Sequence, residues 1–254
     1  MTIEMANILQ PLIDVADSVL TFFHDNAGLS WGGAIIALTF VTRAVLIPLT
    51  YRQIKGMRAL QALQPQIKEI QAKYKNDRQR MQQEMMRFYQ ENKVNPFASC
   101  IPLVAQLPVF FTLFHVLRNE LPDDIGCKAG ECASKAGFFF IEDLTASAHG
   151  AELIVLLVLY IGTQLISGMV MSLSADKSQR MMMFLLPLIF VPFILSFPAG
   201  LILYWITTNV WTIGQQLVIR KVVPVPELAT PAGAAAVQAA KAPPPPPRKK
   251  KKRR

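Results

Sequence analysis

Acidic side chains are absent from every long apolar run of this 254-residue chain. That removes the paired carboxylates which acid–base chemistry among apolar helices would need. No G-x-S-x-G run occurs, and the three histidines, His24, His115 and His149, lie near or beyond one end of the apolar runs. A nucleophile and a base therefore cannot be paired, and an enzyme is not expected. A Walker-type phosphate loop is missing too, so any work the protein does is passive with respect to nucleotide, and no cofactor is implied. Basic residues are missing from positions 1–20, which instead carry Glu4, Asp14 and Asp17. A cleavable signal peptide with a positive leading region is not expected, and the first apolar run must direct insertion itself. Cysteine is scarce, at three residues.

What the chain has in abundance is apolar surface. Hydrophobic residues make up 52% of it and its mean hydropathy is +0.32, more than one soluble core requires. Five stretches, at residues 31–50, 97–117, 153–173, 181–197 and 201–219, approach the roughly 20 apolar residues that cross about 30 Å of hydrocarbon as helix. The expected fold is all-α, a polytopic membrane protein of five helices. Only Pro198, Ala199 and Gly200 separate the fourth stretch from the fifth, so that pair is expected to form a tight helical hairpin.

The formal charge of +9 is unevenly spread. Ten of the basic residues lie in the 51–96 segment, from Arg52 to Lys93, and none lies in residues 1–30. Short basic loops stay on the cytoplasmic side, so the N-terminus is expected outside and the C-terminus inside. The 118–152 loop, with Arg118, Lys128 and Lys135 against seven carboxylates, then falls outside. Cys127 and Cys132 share that loop, where oxidation is permitted; a disulfide is expected, with two free thiols the alternative. Cys100 reads as a small buried residue. Two thiols and a distant His149 do not complete a zinc site, and no metal is expected.

Within the 51–96 segment, Ile54, Met57, Leu60, Leu63, Ile67, Ile70 and Tyr74 recur at three- and four-residue steps, which is helix spacing. Asn76 and Asp77 read as a turn, and Met81, Met85, Phe88 and Tyr89 resume the period, giving a cytoplasmic hairpin that Pro65 should kink. Met57, Met81, Met85 and Met86 suit a contact surface for varied apolar partners, because thioethers adapt their shape; the plainer reading is a solvated connector. Residues 1–30 are expected to form an external interfacial helix, with Ile8, Leu12, Val15, Val19 and Phe23 on its apolar side.

Arg43 is the most informative single residue. It lies roughly 18 Å along the first apolar run, and helical side chains lean toward the N-terminal end, which takes its guanidinium deeper. A snorkelling arginine is the plain alternative. A charge at depth faces a partner or a hydrated cavity, and the runs supply no carboxylate. Gln106, Thr163, Gln164, Thr207, Thr208, Asn209 and Gln215 lie at comparable depth, each alone more often a helix-to-helix hydrogen bond. An anion channel or transporter is the alternative function, since a buried arginine can line an anion path; against it, no repeated halves with broken helices are evident.

Three blocks carry a family resemblance. TRAVLIPLTYRQIKGMRALQALQPQIKEIQAKYKND at 42–77, NPFASCIPLVAQLPVFFTLF at 95–114 and FPAGLILYWITTNVWTIGQQ at 197–216 resemble, in order and spacing, the first span with its hairpin, the second span and the last span of the YidC family of membrane protein insertases. The resemblance implies a 31–220 insertase core whose hydrated groove holds Arg43, Gln106, Gln164, Tyr204, Trp205, Thr208 and Asn209 and receives hydrophilic segments of nascent membrane proteins. It implies the inner (plasma) membrane as location, and the Sec translocon as a partner the sequence leaves open. A large periplasmic domain and a lipoprotein signal are not found, so the chain resembles a minimal form.

Residues 221–254 turn abruptly Pro- and Ala-rich and end in Arg248, Lys249, Lys250, Lys251, Lys252, Arg253 and Arg254. Such a tail cannot bury a core, and its proline run is expected to be extended. Its cations suit anionic lipid headgroups or ribosomal RNA, and an insertase acting during translation gains from the second. Truncation after Val223 is expected to weaken ribosome co-sedimentation several-fold at low salt and hardly at all at high salt, where screening removes the attraction. Equal co-sedimentation at low salt would leave lipid as the partner.

Overall fold

The computed structural model describes residues 2–92, 94, 101–133, 135–172, 181, 185, 189 and 191–222. These form two compact units, residues 2–54 with 101–222, and residues 55–94. Helices dominate both, and no strand occurs among the described residues, which hold only the isolated bridges Phe138–Ile141 and Ser147–Pro198.

In the larger unit, α1 (Thr2–Asp25) packs against α2 (Trp31–Val45) and α6 (Ile101–His115). The buried side of α1 is Ile13, Ala16 and Leu20, with Leu9, Val19 and Phe23 packed beside it. Leu12 and Val15, which spacing puts on the apolar side of an interfacial helix, are exposed. Spacing marks which positions are apolar but does not rank two adjoining apolar sides, and the stripe that meets α2 and α6 wins.

The first apolar run is not one helix. Ser30 caps α2, its hydroxyl accepting from the Gly33 amide at 3.4 Å. The helix stops at Val45, and α3 (Ile47–Ala62) begins after Leu46. Pro48 is the cause: it has no amide proton for the Ala44 carbonyl and its ring crowds that oxygen. Just after the break, the amide and the hydroxyl of Thr50 both donate to the Leu46 carbonyl at 2.9 Å.

Beyond α6 the chain passes through a π-helical turn, Val116–Glu120, into α7 (Leu121–Ile125). The loop that follows carries the disulfide Cys127–Cys132. Helix α8 (Gly150–Ser172) is, over Gly150–Val170, the one helix among the described residues long and apolar enough to cross a bilayer; Trp31–Val45 is a shorter apolar helix. The last helix, α9 (Ala199–Val222), packs on α8 and α2. Its entry is crowded. A Cβ on Gly200 would lie 3.0 Å from the Leu144 carbonyl oxygen, 3.1 Å from Leu117 and 3.2 Å from Ile35, so glycine lets the helix start close to three other segments. The amides of Ala199 and Gly200 donate to the carbonyls of Ala146 and Leu144, which fastens the 126–149 loop to the helix. Ile35, Leu113, Leu117, Leu144, Leu156, Ile194, Leu201 and Ile202 are fully buried around this point.

In the smaller unit, α4 (Gln64–Lys73) and α5 (Arg78–Glu91) pack together across the turn at 74–77. The expected kink at Pro65 is a break at Leu63, with the proline in the first turn of α4, where its missing proton costs nothing. Asp77 caps α5 by accepting from the Arg80 amide at 3.0 Å. The core is thin: Ile67 is the buried residue of α4, and α5 buries none. Residues 182–184, 186–188 and 190 of the fourth apolar run, Cys100, the side chain of Met57 and the 223–254 tail lie outside the described residues.

Asp17 of α1 faces Asp124, with Glu120 and Asp14 near. Burial, and then the Asp124 carboxylate, push its carboxyl up to about 6. A raised pKa means the stabilising form is the protonated one: the contribution is full below the ordinary value of 3.8 and is lost as pH rises through about 6. Asp17→Asn, neutral at every pH, is expected to raise the thermal midpoint in detergent at pH 7.5 by roughly 2–4 °C and to leave it unchanged at pH 4. A shift equal at both pH values would remove the electrostatic origin.

Candidate functional site

Polar groups on apolar helices satisfy themselves first on their own backbone. Thr39, Thr163, Thr207 and Thr212 each donate to the carbonyl four residues back, at 2.7–2.8 Å. These hydroxyls are thus silent, and attention falls on the side chains too long or too rigid to do the same.

Two such clusters lie on different sides of α9. On one side the Gln106 amide of α6 donates to the Tyr204 hydroxyl, with the Thr208 hydroxyl beside it and Arg43 of α2 within electrostatic reach. Tyr204 is buried, at 2% exposure, and Arg43 and Gln106 are half-buried. Tyr204 and Thr208 are one helical turn apart, which is why both face α2 and α6. Arg43 belongs to no ion pair among the described residues.

Further round the helix, Trp205 lies between Phe110 of α6 and Tyr160 of α8, and Asn209, one turn on, faces α8. The Asn209 amide donates to the Thr163 hydroxyl at 3.3 Å. Trp205 stacks on Phe110 at 5.5 Å and lies 5.8 Å from Tyr160 and 5.9 Å from Phe197. This is packing between helices. Gln164 is half-buried on α8, next to Thr163. Of the groove residues expected from sequence, Arg43, Gln106, Tyr204 and Thr208 come together, whereas Trp205 packs among rings of α6 and α8 and Asn209 sits in the α8–α9 seam.

Next to the first cluster is a cavity of about 100 Å³, walled by Leu12, Val15 and Ala16 of α1, Leu38 and Thr42 of α2, Val109, Thr112 and Leu113 of α6, and Tyr204. Its surface is almost wholly apolar, relieved by three hydroxyls. The Thr112 hydroxyl is buried without a hydrogen-bond partner among the described residues. A water molecule needs roughly 10–15 Å³ and two or more polar partners, so the cavity has room for several but few places to hold them. Sequence reasoning missed Thr42 and Thr112, each a lone hydroxyl in an apolar run, and missed the wall that α1 provides. In the smaller unit, Met81 and Met85 are half-buried and Met86 is exposed on α5.

Comparison with known proteins gives a consistent result. A family model described as 60Kd inner membrane protein matches residues 22–226. The chain is 37% identical over 232 residues to the membrane protein insertase YidC of Streptomyces avermitilis, covering 80% of this chain and 54% of that protein. It is 37% identical over 206 residues to the YidC of Helicobacter pylori strain 26695, covering 80% of this chain and 35% of that protein. A crystal structure of an active YidC insertase with its first transmembrane domain resolved superposes with a TM-score of 0.62 at 27% identity, covering 85% of this chain and 46% of that one. The chain thus spans about half the length of the first relative and about a third of the second.

Tyr204→Phe removes the acceptor for Gln106 and leaves a partly buried amide unpaired, at a cost of about 1–3 kcal/mol. The expected result is a lower thermal midpoint in detergent, largely restored in the double variant Gln106→Leu, Tyr204→Phe. Two additive losses would mean that the pair is not coupled.

Proposed function

The chain belongs to the 60Kd inner membrane protein family and is an integral inner membrane protein, and from that premise we propose that it is a membrane protein insertase which gives the polar flank of an incoming segment a foothold at Arg43. The observation that carries this reading is the cluster of Arg43, Gln106 and Tyr204, contributed by three helices beside a cavity that α1 walls. A guanidinium with no carboxylate partner among the described residues is free to attract acidic residues that are only passing.

Five spans, with the N-terminus outside, best fit the apolar runs and the basic 51–96 segment. The hydrated groove would shorten the hydrocarbon that a polar flank must cross. Partitioning of the substrate's apolar segment into lipid supplies the free energy, at about 25 cal/mol per Å² buried. Thr42, Thr112 and Tyr204 offer hydroxyls along the way. The half-buried Met81 and Met85 and the exposed Met86 give the hairpin an adaptable surface for the same segments. Ribosomes and lipid headgroups remain the proposed partners of the basic tail, and the Sec translocon a partner in the membrane.

Arg43→Ala is expected to slow insertion of substrates with acidic translocated segments roughly tenfold, equivalent to about 1.4 kcal/mol, and to spare substrates without them. Arg43→Lys should largely retain the rate. Protease protection of a substrate presented to proteoliposomes measures this. Normal insertion of every substrate by Arg43→Ala would end the electrostatic role, and anion flux through the same vesicles without substrate would favour a channel.

A further inference from the structure

In the external loop, residues 138–141 form a two-residue turn. The Phe138 amide donates to the Ile141 carbonyl at 2.8 Å and the Ile141 amide donates back to Phe138 at 2.9 Å. The corner residues are Phe139 and Phe140. Phe139 has φ 52, a left-handed backbone that favours glycine, asparagine or aspartate and disfavours an aromatic ring. Its ring is 90% exposed, the highest value for a large hydrophobic side chain among the described residues, and Phe140 is 45% exposed. Turn chemistry and hydrophobicity thus both argue against phenylalanine here, unless something outside the chain receives the rings.

The turn is held rigidly by what lies behind it. Ile141 and Ala136 are buried, and the Leu144 amide donates to the Ala136 carbonyl at 3.1 Å. Asp143 accepts from the Cys132 amide at 2.7 Å and from the amide and hydroxyl of Thr145 at 2.8 and 2.7 Å. The Cys127–Cys132 disulfide closes the same loop. Phe138, the first residue of the turn, packs on Gly32, where any side chain would overlap its ring. Gly32 belongs to the first turn of α2, next to Trp31, whose ring stacks on His24 at 3.9 Å. The backbone of the corner is therefore held near the start of α2, with the Phe139 ring edge-on to Phe138 at 4.6 Å.

We infer that Phe139 and Phe140 form a membrane wedge, inserted among the acyl chains of the outer leaflet beside the external end of α2. The inference rests on the proposed orientation, in which α2 enters the bilayer at Trp31. Phenylalanine fits the acyl region better than the headgroup layer, because it lacks the polar tip that holds tryptophan and tyrosine at the interface. A rigid turn also loses little conformational freedom when it inserts, unlike a flexible loop. Lipid is the occupant the geometry favours, since the rings stand beside the mouth of an apolar helix.

Site-directed spin labelling tests this in vesicles of phosphatidylethanolamine and phosphatidylglycerol. In a Cys100→Ser background that keeps the disulfide, a label is placed at Phe140→Cys with Phe139 intact. Power saturation then compares oxygen, which concentrates in lipid, with a water-soluble nickel chelate. The expected result is high oxygen and low nickel accessibility at 140. A label at Val158→Cys, exposed on α8, should give the same pattern, and one at Glu131→Cys the reverse. Adding Phe139→Asn, which suits the left-handed backbone, should shift the 140 label several-fold toward nickel. Nickel accessibility at 140 with lipid accessibility at 158 overturns the wedge alone. Protection of 140 from both reagents overturns it in favour of a protein partner. Water accessibility at 158 overturns the membrane reading of α8 and the wedge with it. A 140 label unmoved by Phe139→Asn shows that Phe139 does not anchor the turn.

Discussion

A polar atom surrounded by hydrocarbon has to find its partner within the protein, and most of this structure follows from that single requirement. It accounts for the helices, which pair their backbones internally. It accounts for the threonines on α2, α8 and α9, whose hydroxyls return to the carbonyl one turn back. The break at Leu46 has a local cause of the same kind, since Pro48 has no proton for the Ala44 carbonyl. Once these local solutions are used, few polar side chains are left to reach between helices. Among the described residues, Gln106 with Tyr204 and Asn209 with Thr163 do so. Arg43 is the exception that gives the site its character, because no carboxylate among the described residues comes to meet it.

The entry of α9 decides where those side chains can meet. Gly200 lets the helix start against Leu144, Leu117 and Ile35, and the two amides at its start bind it to the 126–149 loop. From there the helical period sends Tyr204 and Thr208 toward α2 and α6, Trp205 between α6 and α8, and Asn209 toward α8. The 126–149 loop is therefore more than a connector. Its carbonyls fix the height and rotation of the helix that carries the site, while Asp143 and the Cys127–Cys132 bond stiffen the loop in turn.

Much of the local structure was legible in the sequence. The Asn76-Asp77 turn and the hairpin period appear where spacing placed them, because capping and apolar recurrence act over a few residues. Helices α8 and α9 begin within a few residues of the expected apolar runs. Other features were misjudged for equally physical reasons. Pro65 opens a fresh helix instead of kinking one, since the first helical turn has no use for its missing proton. On α1, spacing puts Leu12 and Val15 on the apolar side of an interfacial helix, yet Ile13, Ala16 and Leu20 pack on the neighbours, because apolar spacing does not say which stripe fits them. Gln106, Gln164, Thr208 and Asn209 looked alike in depth, but depth along a helix says nothing about the direction a side chain takes around it.

The sequence by itself determined the helical class, the uneven charge, the absence of carboxylates from the apolar runs and the isolation of Arg43 from any partner close by in the chain. Those are properties of composition and local spacing, and burial in any fold would preserve them. Only the tertiary structure decided that Gln106 meets Tyr204, that Asn209 is occupied by Thr163, and that α1 walls the cavity beside them. Residues 98 and 46 positions apart in the chain are brought together by the rotation and register of packed helices, and that register depends on contacts such as those at Gly200, which no short stretch of sequence contains.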